Sequence, residues 1–553
     1  MEKVAVLPLD DRPVNYDYPR YLARSAGIDI LLPEREWLGN PWRSSQHKKL
    51  VDWLEKTAPE VDGLILAVDT LAFGGLIPSR TSYDSVETIL RRLAFLRQLK
   101  QSRPDLPILA SSVILRICRN NSSEEEKPYW ATYGANMFRL SYLEHKGDLF
   151  EATGEELEEK EHLRGQIPDE IYNDYRQGRA RNHAINMAMI DFVADGVFDY
   201  LVLPQDDTMD YGWNIAEARK LQLTIRQRGL TEKAITYPGA DEIGSLLLAA
   251  FVCHRSGFSP KVWPRYSSTN SPGVVTAYED RPFNEMIKAH LAPLGGILAN
   301  SIEDSDLLLY INAPAKRQGD SYLQWYVWEG IEEIAKKIPQ NYQAFLNQVA
   351  SQRGMRVTKD EMQSPYRNPE EFVQSMIMNI IQNKEVAVAD VAFVNGMDVI
   401  LGSEMVRHPE VARLASVGGW NTAGNTLGTV LAQAVIHILS RRGTPTPDQV
   451  AAHLEFLFLR FLDDYYYQGI ERTRCLLEDF TALGLPIHGD HMDDPGQLAI
   501  IQDRVRNRLN RAAHELRQLF ISSGLVKDVI VSDIYLPWQR MFEVGFDVKV
   551  SLS

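Results

Sequence analysis

Tyr200-Leu-Val-Leu-Pro-Gln-Asp-Asp-Thr-Met-Asp-Tyr-Gly212 runs from apolar residues directly into two adjacent carboxylates. Tyr200 to Leu203 has the length and the aromatic and β-branched content of a buried strand, and Pro204 stops the run before the acids. Asp206 and Asp207 therefore stand at a strand's carboxyl end. In parallel α/β folds the loops converge on a site at that end, and the opposite end is scaffold. One Asp could equally cap the helix that begins at Trp213, with the other left in water.

The same grammar recurs on either side of this stretch. Val4-Ala-Val-Leu-Pro-Leu ends in Asp10, Asp11 and Arg12, Val61 to Val68 ends in Asp69, and Ala234-Ile-Thr-Tyr-Pro-Gly-Ala ends in Asp241 and Glu242. Capping explains one or two such junctions. Four of them in the first 245 residues favour an enzyme. Helical patterns separate the strands, which predicts a (β/α) barrel or a barrel-like parallel sheet with crossover helices over residues 1–260. A fourth strand from Pro107 ends near Arg116 and Arg119. Residues 120–189 are then long, charged and aromatic, and a structureless loop of that length is improbable, so helices are expected there. Glu124-Glu-Glu, Leu157-Glu-Glu-Lys-Glu and Arg176-Gln-Gly-Arg-Ala-Arg fit solvated helix faces. Arg179, Arg181, Asn182 and His183 are alternatives that would lean over the site.

A second α/β unit is expected over 261–440, with strands near Lys261, Asp306 and Glu385 and an amphipathic helical stretch from about Tyr322 to Asn383. It ends in Gly418-Gly-Trp-Asn-Thr-Ala-Gly-Asn, which opens a long apolar helix. There Trp420 offers a flat face and Asn421 and Asn425 offer paired donors and acceptors, a combination suited to a sugar; the free amides of the helix start suit an anion. A tight turn with Asn caps is the competing role. Residues 441–553 are expected to be mainly helical, with a terminal strand pair.

Composition narrows the function. With 44% hydrophobic and 24% charged residues, the chain belongs with globular proteins. A net charge of −15 argues against a nucleic-acid or anionic-membrane partner, which needs a basic face. Cys118, Cys253 and Cys475 lie too far apart for a disulfide framework or a metal spacing. No apolar run approaches the roughly 20 residues of a membrane span, and the apolar start is too short for a secretory leader, so the expected location is cytoplasmic. His488-Gly-Asp-His-Met-Asp-Asp is dense in ligating groups but lacks helical metal-site spacing, so no metal is assigned. Nucleotide-binding, zinc-protease and serine-hydrolase motifs are absent, and no cofactor is expected. The sequence carries no signal of oligomeric state.

Two close carboxylates push their pKa values apart, so that one stays charged while the other carries a proton. Glycoside hydrolysis uses acids in this way. The leading expectation is a carbohydrate-active hydrolase on a small glycoside or oligosaccharide, with Asp206 polarising and Asp207 as acid/base. Asp10, Asp11, Arg12, Asp69, Arg116, Asp241, Glu242, Trp420, Asn421 and Asn425 would hold the ligand. The alternatives are a divalent-metal-dependent lyase or hydrolase, with Asp10, Asp11, Asp206 and Asp207 on the ion, and a non-catalytic sugar- or metabolite-binding protein.

Leu7-Pro-Leu-Asp-Asp-Arg-Pro-Val-Asn-Tyr-Asp, Val68-Asp-Thr-Leu-Ala-Phe-Gly-Gly-Leu-Ile-Pro-Ser-Arg, Pro204-Gln-Asp-Asp-Thr and Gly419-Trp-Asn-Thr-Ala-Gly-Asn-Thr-Leu-Gly together resemble a bacterial family known as a domain of unknown function, of the 4127 type. That resemblance spans most of residues 1 to about 550 and implies no activity. The Asp206-Asp207 pair alone is similar to the paired aspartates of substrate-assisted N-acetylhexosaminidases.

Overall fold

The computed structural model describes residues 2–314, 316–322, 324, 367–485 and 491–553. The chain forms two compact units, and neither is a continuous segment. The first takes Met1–Asp11, Ile28–Leu247 and Tyr278–Asp280; the second takes Arg12–Gly27, Leu248–Ala277 and Arg281–Ser553.

The first unit is built on six strands: β1 (Lys3–Leu7), β2 (Asp29–Leu31), β3 (Gly63–Ala67), β4 (Ile108–Ser111), β5 (Tyr200–Gln205) and β6 (Ala234–Pro238). Every pairing is parallel, in the order β2-β1-β3-β4-β5-β6. Residues of β3, β4 and β5 are buried throughout, as the near-continuous apolar runs of a sheet covered on both faces require. The sheet is open. Strands β2 and β6 are its edges, so of the two forms expected the parallel sheet is present, and it does not close into a barrel. Local patterning distinguishes a parallel strand from a helix, but closure depends on which strands pair, and β6 stops at β5 without reaching β2.

Three helices, Trp130–Asp148, Gly154–Gln166 and Asp169–Ala194, fill the connection between β4 and β5, as the length of that segment demanded. Trp130, Met137, Leu140, Ile167, Tyr175 and Trp213 bury a small core of their own with Ile117. That core fixes the backbone between Arg116 and Arg119 to the helical insertion.

The second unit holds another parallel sheet, of β7 (Lys261–Tyr266), β8 (Ile297–Leu298), β9 (Leu307–Asn312), β11 (Val386–Asp390) and β13 (Ser416–Gly418), in the order β13-β11-β9-β7-β8. Between these come β10 (Gly319–Asp320) and β12 (Phe393–Val394), which pair with each other. Counted within each sheet, both units place the second strand outside the first and every later strand on the other side, a doubly wound order. Beyond the second sheet lie the helices Ala423–Arg442 and Pro447–Arg460. The latter runs on into π-helical turns over Phe461–Glu471, and the long helix Pro495–Ser522 precedes the antiparallel pair β14 (Val526–Tyr535) and β15 (Gly545–Leu552). Most of the amphipathic stretch expected over Tyr322 to Asn383 lies outside the described residues, which resume with the helix Pro369–Ile381. No helix among the described residues is long and apolar enough to cross a membrane.

Candidate functional site

All six strands of the first sheet run in one direction, so the segments that follow β1, β3, β4, β5 and β6 leave from one edge. Asp10 and Asp11 follow β1, Asp69 follows β3, Arg116 follows β4, Asp206 and Asp207 follow β5, and Asp241 and Glu242 follow β6. Around Asp206 and Asp207 the contacts are direct.

Strand β5 carries its neighbour along with it. After β4 the chain keeps to the same register: Ser112 N donates to Val202 O at 3.0 Å and Ile114 N to Pro204 O at 2.8 Å. This brings Val113 to Arg116 alongside Gln205 to Asp207. Val113 N donates to Asp69 Oδ2 at 2.9 Å, so the acid after β3 is fixed to the same strip. Asp69 does not stand on the strand end as expected. It lies in the first turn of the short helix Val68–Ala72, and its main-chain oxygen accepts from the amides of Phe73, Gly74 and Gly75. Gly74 takes a φ of +99°, and a Cβ there would come within 2.6 Å of Ser44 Cβ. The turn needs glycine, and its consequence is a second short helix, Leu76–Thr81, that delivers Arg80.

Arg80 is the residue on which the cluster is built. Its Nη2 donates to Asp206 Oδ2 at 2.6 Å and its Nη1 to Glu125 Oε2 at 2.7 Å. Arg116 shares that Glu125 oxygen at 2.8 Å, bonds Glu126 at 3.0 Å, and lies 3.6 Å from Asp207. The chain of charges thus runs Asp206, Arg80, Glu125, Arg116, and then Glu126 and Asp207. Arg179 holds this arrangement from behind by donating to the main-chain oxygens of Leu115 and Arg116 at 2.8 and 2.9 Å while pairing with Glu217.

The adjacent aspartates are not equivalent. Asp206 is ion-paired to Arg80 with its side chain 13% exposed; Asp207 keeps 26% exposure and has no partner as close. Burial, and then the charge of Asp206, push the Asp207 carboxyl up to about 6, against the opposing charges of Arg116, Arg119 and Arg80. Asp207 also holds a left-handed backbone, φ +49°, with its carbonyl tied to Asn214 Nδ2 at 3.0 Å. A non-glycine residue in that region stores strain of about 1–3 kcal/mol, a feature that clusters at functional sites. Asp69, 1% exposed, is pushed up to about 7, mainly by burial with the Asp206 charge adding, and its Oδ1 has no hydrogen-bond partner among the described residues. Burial likewise raises Glu126, against the pull of Arg116 and Arg80.

The remaining sequence-predicted residues divide. Asp10 is buried beyond β1, and Asp11 accepts from Asn40 Nδ2 at 3.3 Å. Glu242 folds back on its own loop, accepting from Ala240 N at 2.9 Å, with Asp241 buried beside it. Arg12, Trp420, Asn421 and Asn425 belong to the second unit. There Arg12 pairs with Glu543 at 3.2 Å and lies over the Trp538 ring. Trp420 presents no open platform: it is 3% exposed, and its ring packs against Phe542. Thr422 caps the helix Ala423–Arg442 by accepting from Asn425 N, and Asn421, at φ +70°, accepts from Thr422 N through its side chain. The cap of this helix is thus Thr422 and not an asparagine.

Sequence reasoning missed Arg80, Glu125 and Glu126. Glu124-Glu-Glu is a loop and not a solvated helix face; Glu124 is exposed, but Glu126 is buried. The usable signal was position, since the run follows directly on a strand end that already carries Arg116. Arg179 and Arg181 face the protein interior, Arg181 bonding the main-chain oxygens of Ser79 and Ser82. Of the His488 run, residues 488–490 lie outside the described residues; His491 pairs with Asp493 at 3.1 Å. No group of three or more His, Cys, Asp or Glu side chains among the described residues is arranged to hold a metal ion. At Asp206 the near position is taken by a guanidinium, which a divalent cation would have to displace.

The arrangement supplies a proton carrier beside a charged carboxylate, both within reach of water. No curated protein and no solved structure matches the chain. A family model matches residues 4–547, and the chain belongs to the family that it describes, "Protein of unknown function (DUF4127)".

Proposed function

We propose that the chain is a hydrolase of a small glycoside or oligosaccharide, in which Asp207 is the general acid/base and Asp206 the charged partner. The observation that carries this reading is the split within the adjacent pair: Asp206 is bound to Arg80, and Asp207 is pushed up to about 6 with part of its carboxyl open to solvent. A carboxylic acid that keeps its proton toward neutrality protonates a leaving oxygen efficiently. In the proposed step the anomeric C–O bond breaks as the Asp207 proton passes to the leaving oxygen. Asp206, or a substrate acetamido group that it orients, meets the positive charge growing at the anomeric carbon. The Asp207 carboxylate then takes a proton from the water that completes hydrolysis.

A panel of chromogenic glycosides, with wild type beside Asp206→Asn and Asp207→Asn, tests this. Turnover of at least one glycoside is expected, with activity falling as pH rises above about 6 as the Asp207 acid loses its proton. Asp207→Asn is expected to lower kcat by about 10²–10⁴-fold. No turnover of any member, or turnover insensitive to both substitutions, rejects the reading; ligand binding that survives Asp207→Asn without turnover supports a binding protein instead.

A further inference from the structure

The arginines beside Asp206 and Asp207 are unequally satisfied. Arg80 holds two carboxylates, and Arg116 lies within ion-pair distance of three. Arg119 has no ion pair among the described residues. Its Nη2 donates to Thr208 O at 3.2 Å, one residue beyond Asp207, and its guanidinium lies over the rings of Tyr278 at 4.9 Å and Phe138 at 5.6 Å. Tyr278 is held there because its main-chain oxygen accepts from both the amide and the hydroxyl of Thr208, at 2.8 and 3.0 Å. The side chain is half-buried.

Three consequences follow. The two rings and the Thr208 carbonyl orient the guanidinium plane, so little rotamer freedom remains to be lost when its other donors are used. A partly desolvated cation with no carboxylate in ion-pair distance among the described residues is incompletely satisfied, and an incoming anion relieves that cost. The guanidinium is also bonded to the carbonyl of Thr208, the residue after Asp207, so a group bound to it lies near the proposed proton donor. We infer that Arg119 is an anion subsite, and that the substrate carries a carboxylate or phosphate group, as in a hexuronide or a sugar phosphate. This deepens the hydrolase reading and rests on it for the word substrate; the anion subsite itself stands on the Arg119 geometry.

The test is calorimetric titration of the full chain with a set of hexuronates, with hexose phosphates and inorganic phosphate, and with the neutral hexoses. Wild type is compared with Arg119→Gln, Arg119→Lys and, as a control, Arg97→Gln, whose arginine pairs with Asp195 outside the cluster. At least one anion is expected to bind with Kd below about 10 mM. Arg119→Gln should weaken it by about tenfold or more, Arg119→Lys by less because charge is kept while the fork is lost, and Arg97→Gln not at all. Hexuronates binding without phosphates, or the reverse, identifies the anion. Failure of every anion to bind wild type, or a Kd within about twofold in a folded Arg119→Gln, overturns the subsite. Turnover separates the two claims: neutral glycosides cleaved with no anion bound would remove the subsite and keep the hydrolase, and Arg119-dependent anion binding with no glycoside cleaved would do the reverse.

Discussion

The two units share a strand order and both place acids after the carboxyl ends of their strands, yet what surrounds those acids differs. In the first unit the acids of β5 alternate with arginines in an open-ended chain, and Asp207 keeps 26% exposure. In the second, Asn312 at the end of β9 bonds both Asp390, at the end of β11, and Asp398, which caps the helix Val399–Met405. Asp390 further accepts from the amides of Ala392 and Asp398, at 3.2 and 2.8 Å, and Arg367 pairs with Asp398. Both aspartates are buried. Burial and the Asp398 charge push Asp390 up to about 8, further than Asp207. A perturbed acid alone would therefore favour the second unit over the first. What marks the first site is a shifted acid that water still reaches.

The largest expected effect follows from that distinction. Asp207→Asn should lower kcat by about 10²–10⁴-fold with the melting temperature little changed. Asp390→Asn should move the melting temperature and leave kcat within a few-fold, because its hydrogen bonds among the described residues are internal to the second unit. If Asp390→Asn abolished turnover while the protein remained folded, the assignment of chemistry to the first unit would fail.

Arg80→Gln comes next. It removes a 2% exposed cation from between Asp206 and Glu125, and leaving buried charges without their partner costs about 3–5 kcal/mol. It also removes one of the charges that lower Asp207, so the alkaline limb of kcat/KM should move upward by about one pH unit. Chemical denaturation and a pH–rate profile measure the two effects. A limb that stayed in place would show that Arg80 does not act on Asp207, and one that moved downward would reverse the sign argued here.

Much of this contrast was open to a reader of the sequence, and part was not. Strands and the acids after them were legible because a buried strand followed by Asp is a local pattern, as at Val4 to Asp11 and at Tyr200 to Asp207. The helices between β4 and β5 were legible from length alone. Closure of the sheet was not, since it depends on pairing between segments some 200 residues apart, β2 and β6. Nor was the pairing of Arg80 with Asp206, 126 residues away. A glycine pair announces a turn, but not where the following arginine will point. Trp420 failed for a related reason: a flat aromatic reads the same in sequence whether it faces a sugar or a neighbouring ring.

A smaller effect sharpens the comparison through pH. Asp390 has its folded pKa raised to about 8, against about 4 in an unfolded chain, so the folded state holds the extra proton. Its contribution to stability is complete below about pH 4 and is lost as pH rises through 8. The difference in melting temperature between wild type and Asp390→Asn should therefore be largest near pH 4 and shrink or reverse by pH 8. A constant difference across that range would mean that Asp390 is ionised throughout.

The smallest effect concerns the loop after β13. Thr422 caps the helix Ala423–Arg442, and removing a side-chain cap costs about 1 kcal/mol. If this loop is a cap and nothing more, Thr422→Ala should lower stability by about that amount with Kd values for sugars and anions unchanged. Thr422→Ser and Thr422→Asp should restore it, the latter gaining from the helix dipole. The alternative, that the loop's free amides bind an anionic ligand, makes the opposite forecast for Asp: a fixed negative charge at the helix start would compete with the ligand and weaken its binding. Thr422→Asp thus separates the two roles in one protein, since a cap is preserved by the same substitution that would obstruct an anion site.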